Sequence, residues 1–238
     1  MIGLGTIINA GAIVVGGLLG LLLKNALPQR ISDTLTKAIG ICVLFIGLSG
    51  ALQNMFTIED GALSVGGTMM TIFSFIGGSI LGGALDLEGR LERFGVWLRK
   101  RAGADGDSGF LNAFLTASLT VCIGAMAVVG AINDGLFGDI SLLVTKSILD
   151  AIIIMVMAAT MGKGCIFSAI PVAIFQGLVT LFARFLQPVM TAQATSNLAL
   201  TGSILVFCVG VNLIRPQTFR TANMLPSVII AVIYALLF

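Results

Sequence analysis

The sequence predicts an all-α integral membrane protein, folded as a single transmembrane helical domain over residues 1–238. Three observations predict it. Hydrophobic residues make up 57% of the chain and charged residues only 10%, giving a mean hydropathy of +1.08. The apolar residues gather into runs close to the about 20 residues that a helix needs to cross a bilayer. Nearly every charge lies between those runs. Eight spans are expected, at about 1–23, 36–55, 65–85, 109–131, 141–161, 164–186, 195–214 and 221–238. They occupy most of the chain and leave no room for a soluble catalytic domain.

The first run, MIGLGTIINAGAIVVGGLLGLLLK, lacks a basic leading region and exceeds the apolar length of a signal peptide, so a span is expected there. The basic residues then set the orientation. With the amino terminus outside, the inward connections carry Lys24, Arg30, Lys37, Arg90, Arg93, Arg99, Lys100, Arg101, Lys163, Arg215 and Arg220, eleven of the 13 Lys and Arg. The outward loops hold Glu59, Asp60, Asp134 and Asp139. Both termini are therefore expected outside.

The third connection, about 86–108, is the longest and faces inward. In DLEGRLERFGVWLRKR, Leu87, Leu91, Phe94 and Leu98 recur at helical spacing, with Trp97 beside them. Glu88, Glu92, Arg93, Arg99 and Lys100 take the other face. This is the pattern of an amphipathic helix on the inner leaflet, with a regulatory docking site as the alternative. The following AGADGDSG is expected to be a polar hinge.

Internal similarity runs along the chain. ISDTLTKAI from Ile31 matches ISLLVTKSI from Ile140, and GAIVVGG from Gly11 matches GAMAVVG from Gly124. FIGGSIL from Phe75 and FQGLVTL from Phe175 suggest that residues 1–85 correspond to 109–186, with 195–238 as additional helices. Such units would be inverted, the plan of many secondary transporters. The likeness of GLLGLLLKNALP from Gly17 to GLVTLFARFLQP from Gly177 leaves a repeated two-helix hairpin as the alternative. Small residues four apart, Gly16 with Gly20, Ser74 with Gly78 and Gly78 with Gly82, predict close helix contacts and a homo-oligomer. Gly124, Gly130 and Pro171 are candidate helix breaks.

Lys146 and Asp150 stand inside the fifth span. A charge there costs about 2.5–3.5 kcal/mol on insertion scales, which makes it a functional candidate. The two are four residues apart, on one helix face, so an intrahelical ion pair is the structural alternative. Lys146 is close enough to the span's outer end to snorkel. Asp150 is deeper and short, so it should face the bundle interior. Ser147, Gln176, Asn9, Asn133 and Asp134 are the candidate polar partners, with Asn112 and Asn212 at span ends. AINDG, residues 131–135, could be an outward gate or only a turn.

Other chemistries find little support. There is no histidine, which removes His-based triads and the commonest metal ligand. Cys42, Cys122, Cys165 and Cys208 are isolated and are expected to be small buried apolar residues. No cofactor, metal site, nucleotide-binding loop or nucleic-acid surface is expected.

The opening GTIINAGAIVVGGLLG, together with AINDGLFGD, TKSILDAI and SAIPVAIFQG, resembles the bacterial family known as domain of unknown function 554. The resemblance covers nearly the whole chain. The family commonly carries Gln where this chain has Asn133. It implies an inner-membrane protein of prokaryotes, of a kind often described as a transporter, and names no substrate.

The function expected is therefore a small secondary transporter or permease for an unidentified ion or small polar solute, with the lipid bilayer as its surroundings. The alternative is a structural or partner-binding membrane protein whose Lys146–Asp150 pair fixes helix register. An intramembrane enzyme is disfavoured, because acid–base chemistry needs positioned groups.

Overall fold

A computed structural model describes residues 2–24, 28–59, 62–104, 106–107, 109–122, 125–215 and 218–237. Among these, α1 (Leu4–Lys24) and α2 (Gln29–Met55) lead into two short strands, β1 (Phe56–Glu59) and β2 (Ala62–Val65). Then come α3 (Thr68–Ala84), α4 (Leu87–Arg101), α5 (Phe110–Cys122), α6 (Ala125–Phe137) and α7 (Ser141–Met161). A 3-10 segment, Lys163–Ser168, enters α8 (Ala169–Leu181), followed by α9 (Ala183–Leu186) and α10 (Ala192–Ile214). A second 3-10 turn, Thr221–Met224, precedes α11 (Pro226–Leu237).

The chain is an all-α membrane-type bundle. Among the described residues, five segments are long and apolar enough to cross a membrane: Leu4–Lys24, Asp33–Met55, Ser141–Met161, Lys163–Leu181 and Ala192–Ile214. Two further pairs pass only together and are bent, α3 with α4 by 54° and α5 with α6 by 61°. Counting each pair as one span gives up to seven, and Thr221–Leu237 is a shorter apolar helix.

Several expectations are corrected. The fourth segment is not one straight span over 109–131 but two half-helices, and α6 runs on to Phe137. AINDG is thus helical rather than a turn, and Gly130 lies within unbroken helix. Gly124, expected as a break, lies outside the described residues, as does Asp60. So do residues 105 and 108 of the expected polar hinge. Pro171 does not interrupt a helix midway; it sits in the first turn of α8, where a missing N–H costs no intrahelical bond. The β1–β2 hairpin, antiparallel with Phe56 opposite Val65, was not foreseen.

Close contacts place the connections at two ends of the bundle. The Glu88 N–H donates to the Asn223 Oδ1 at 2.9 Å, the Lys24 ammonium lies beside Gly162, and Gly109 adjoins the Met161 carbonyl. These join the connections that carry most of the basic residues. At the other end, Gly3 and Gly5 meet Asp134, and Gly67 meets Leu200.

The expected small-residue stripes are used within the chain. A methyl group at Gly16 or Gly20 would collide with the Ala151 or Met155 carbonyl of α7, and one at Gly78 or Gly82 with the backbone of Ser227 or Asn223. Glycine is what lets these backbones touch. Two apolar cores result. One joins Ile13, Ala113, Ala117, Val121, Ile154, Met157 and Val172, from α1, α5, α7 and α8. The other joins Ala51, Met70, Leu200 and Ala231, from α2, α3, α10 and α11.

The amphipathic α4 forms as expected, capped by Asp86, whose carboxylate accepts the Gly89 N–H at 3.3 Å. Its apolar face packs on the start of α5, with Leu98 gathered against Phe110 and Phe114. Trp97 is exposed, stacked on Phe94 at 5.8 Å, with the Arg101 guanidinium over its ring at 5.7 Å.

Candidate functional site

The sequence supplies α7 with two charges one turn apart, and the fold buries both. Lys146 is 7% exposed and Asp150 5%. They form an ion pair along the helix. Lys146 does not snorkel outward, as its position in the span would allow. Its ammonium points into the bundle and donates to the Val121 carbonyl at 2.8 Å. Val121 lies in the last described turn of α5, just before the 61° bend towards α6, and its carbonyl oxygen presents partial negative charge. A buried cation is stabilised there and by the carboxylate below it.

Asn9 on α1 and Gln176 on α8 complete the cluster, both essentially inaccessible to solvent. The Asn9 Nδ2 donates to the Gln176 Oε1 at 3.3 Å, and the Asn9 amide is also a partner of the Asp150 carboxylate. Among the described residues, the Asn9 Oδ1 and Gln176 Nε2 have no hydrogen-bond partner. One buried acceptor and one buried donor are thus left open beside the ion pair. Unsatisfied buried groups of this kind cost about 1–3 kcal/mol each, so they call for a water, an ion or a solute.

The remaining expected residues separate. Ser147 donates to the Leu143 carbonyl of its own helix at 2.6 Å and adds nothing to the cluster. Asp134 is fully buried on α6, but its carboxylate accepts the N–H groups of Gly3 at 3.1 Å and Gly5 at 3.0 Å. It closes the amino end of α1, where unpaired N–H groups and the helix dipole favour an anion. Asn133 is half-buried on α6, and among the described residues no hydrogen bond joins it to the others. Among the described residues no group of three or more His, Cys, Asp and Glu could hold a metal.

A scan against protein families matches "Protein of unknown function (DUF554)" over residues 4–236. The chain belongs to the DUF554 family. The DUF554 match agrees with two relatives. "Uncharacterized membrane protein YdfK" of Bacillus subtilis (strain 168) is 28% identical over 226 residues, covering 95% of this chain and 93% of the relative. "Uncharacterized protein YqgA" of Escherichia coli (strain K12) is 26% identical over 235 residues, covering 96% and 94%. No solved structure matches.

This DUF554 member also holds polar groups that the sequence did not single out. The Val121 carbonyl is backbone and carries no residue signal. The hydroxyls of Thr6, Thr180 and Ser118 are buried and unpaired. Thr6 lies three residues from Asn9 and Thr180 four from Gln176, so each shares a helix face with a recognised member. That spacing was the available clue.

Proposed function

We propose that the protein is a small secondary transporter or permease of the bacterial inner membrane, moving an ion or small polar solute through the cluster between α1, α5, α7 and α8. One observation carries it. A backbone carbonyl beside the 61° bend between α5 and α6, an ion pair and two amide atoms unpaired among the described residues meet inside an apolar bundle. Interrupted helices whose ends face a buried ion are a recurrent transporter device, and irregular backbone at membrane depth is tolerated where it lines a cavity or is buried in protein. Asp150 binds the coupling cation or proton. The Lys146 ammonium holds the place a free cation would take and is released or shielded when one enters. Asn9 and Gln176 offer the polar contacts.

The topology belongs to the same proposal. α3, the bent α5–α6 pair and the short α11 complete eight spans, α4 lies on the inner leaflet, both termini lie outside, and the basic end is cytoplasmic. The two three-span units are inverted repeats. The chain performs no catalysis. A homo-oligomer forms through faces other than the glycine stripes, which the chain itself occupies.

The second reading has its own support. The ion pair lies along one helix, and Lys146 already has two partners, so the pair could serve only to fix α7 against α5. A thermal-shift screen separates the two. Purified protein is melted across pH, Na+, K+, divalent ions and small organic acids, alongside Asp150→Asn. A condition that raises the melting temperature of the wild type alone supports the binding site. Identical profiles, with Asp150→Asn as stable as the wild type, favour the structural reading.

A further inference from the structure

A cleft of about 640 Å³ opens at the basic end, between α4, α5, the end of α10 and the second 3-10 turn. Its mouth is polar, with Glu88, Asn112, Thr116, Asn212 and Arg220 in the lining. The Glu88 Oε2 is buried and has no hydrogen-bond partner among the described residues. The lining carries both signs of charge, and Asp86 and Arg93 pair along α4 at 3.4 Å. Such a surface holds water and does not select one sign of ion.

The cleft's course follows from α5. Asn112, Leu115, Thr116 and Leu119 line it, at the spacing of a single helix face. At 1.5 Å per residue that stripe descends roughly 10 Å from Asn112 to Leu119. The next position on the stripe is Cys122, whose electrostatic neighbours are Lys146 and Asp150. Leu119, Val209 and Ala222, all buried and in one apolar cluster, form an apolar seam in the cleft's wall. On α5 the polar lining ends at Thr116, Leu119 of this seam follows, and Cys122 beside the charged cluster comes one helical turn later.

We propose that this cleft is the water-filled vestibule through which a hydrated ion or small polar solute reaches the Lys146–Asp150 cluster from the cytoplasm, and that Leu119, Val209 and Ala222 form the apolar gate that closes it in the present conformation. The inference rests on the transport reading for its purpose. Its geometry can be tested without any transport.

The experiment uses the full chain in membrane vesicles of both orientations and a membrane-impermeant maleimide. Cys42, Cys165 and Cys208 are replaced by Ala. Cys122 is kept as the probe behind the seam, or replaced by Ser when Thr116→Cys is the probe in front of it. Each rate is normalised to that of the same protein unfolded in detergent, and variants are first checked for monodispersity. Thr116→Cys should react from the cytoplasmic face only. Cys122 should resist from both faces with Leu119 intact. In Leu119→Ala it should react from the cytoplasmic face, about tenfold faster or more, as an exposed thiol does over a buried one. Thr116→Cys that reacts only from outside, or not at all, overturns the vestibule. Cys122 that reacts with Leu119 intact, or stays inert in Leu119→Ala, overturns the gate. A labelled vestibule in a protein without ligand response or flux would defeat the transport reading alone.

Discussion

The two halves of the bundle are assembled by the same packing rule but differ in how they treat buried polar groups. In one half, α1 crosses α7 through Gly16 and Gly20; in the other, α2 crosses α10 through Gly40, Gly47 and Gly50. In both, a glycine removes the side chain that would hold two backbones apart. In the α2–α10 half, among the described residues, no fully buried side-chain nitrogen or oxygen of α2, α3, α10 or α11 lacks a hydrogen-bond partner. The Asn197 Nδ2 donates to the Ala231 carbonyl at 3.1 Å, the Gln193 Nε2 to the Asn197 Oδ1 at 3.0 Å, and the Ser196 hydroxyl to the Asn54 Oδ1 at 3.5 Å. In the α1–α7 half, Asn9, Gln176, Thr6, Thr180 and Ser118 each keep a buried atom with no hydrogen-bond partner among the described residues, and the same half holds the buried ion pair. Helix packing accounts for the first half completely. It leaves the second half with buried groups that no hydrogen bond among the described residues satisfies, and the proposed binding site rests on that surplus.

The comparison breaks most visibly at Asp150. Asp150→Leu strands the Lys146 ammonium in the bundle, and losing one partner of a buried pair costs about 3–5 kcal/mol. Asn197→Leu, the matching deletion in the satisfied half, should cost about 0.6 kcal/mol, the mean for a hydrogen bond between membrane helices. Equilibrium unfolding in micelles measures both. Equal costs would remove the distinction.

A smaller effect tests what the halves share. Gly20→Val and Gly47→Val each force a side chain into neighbouring backbone, at about 1–3 kcal/mol for overpacking. The two should lose similar amounts of stability in the same unfolding assay. A harmless Gly47→Val would show that the α2–α10 crossing is looser than its geometry.

Asp134 sharpens the boundary of the site. If it only caps α1, Asp134→Ala costs about 1 kcal/mol, as the loss of a helix cap does. Amide exchange should then rise at the start of α1, with any ligand-induced thermal shift preserved. Loss of that shift would move Asp134 into the binding site.

The smallest effect lies at the vestibule mouth. Burial, with the Glu92 carboxylate beside it, raises the Glu88 pKa above its ordinary 4.5, while Arg220 pulls it down. The folded protein therefore holds the Glu88 proton more tightly than the unfolded chain does. Stability contributed by that proton is present below 4.5 and is lost as pH rises through the raised value. Glu88→Gln should melt slightly above the wild type at mildly alkaline pH, and the gap should close in acid. A gap that widens in acid would reverse the assignment.

Most of the architecture was legible because bilayer helices announce themselves by length and apolarity. The amphipathic α4 was legible from Leu87, Leu91, Phe94 and Leu98. Asp150 and its inward orientation followed from the cost of a short charged side chain in lipid. Other features were hidden for physical reasons. The break between α5 and α6 leaves the apolar run unbroken, so hydropathy reads straight through it. The inward turn of Lys146 depends on the Val121 carbonyl, a backbone acceptor 25 residues away that carries no side-chain signal. Asp134 looked like turn chemistry in AINDG, because its partners, Gly3 and Gly5, lie about 130 residues away in sequence. The Asn9–Gln176 contact is likewise long-range, and neither residue alone distinguishes a ligand from helix glue.

The most direct measurement of the central claim is ion flux by proteoliposomes containing the wild type or the double variant Lys146→Met with Asp150→Leu, under imposed Na+, K+ and proton gradients and with an internal pH-sensitive dye. Replacing both members of a buried pair by apolar residues is often nearly neutral for stability, so the double variant should fold. The account predicts dissipation of at least one gradient by the wild type and none by the double variant. A double variant that folds and conducts as the wild type does would contradict it and leave the ion pair as a device for holding α7 in register.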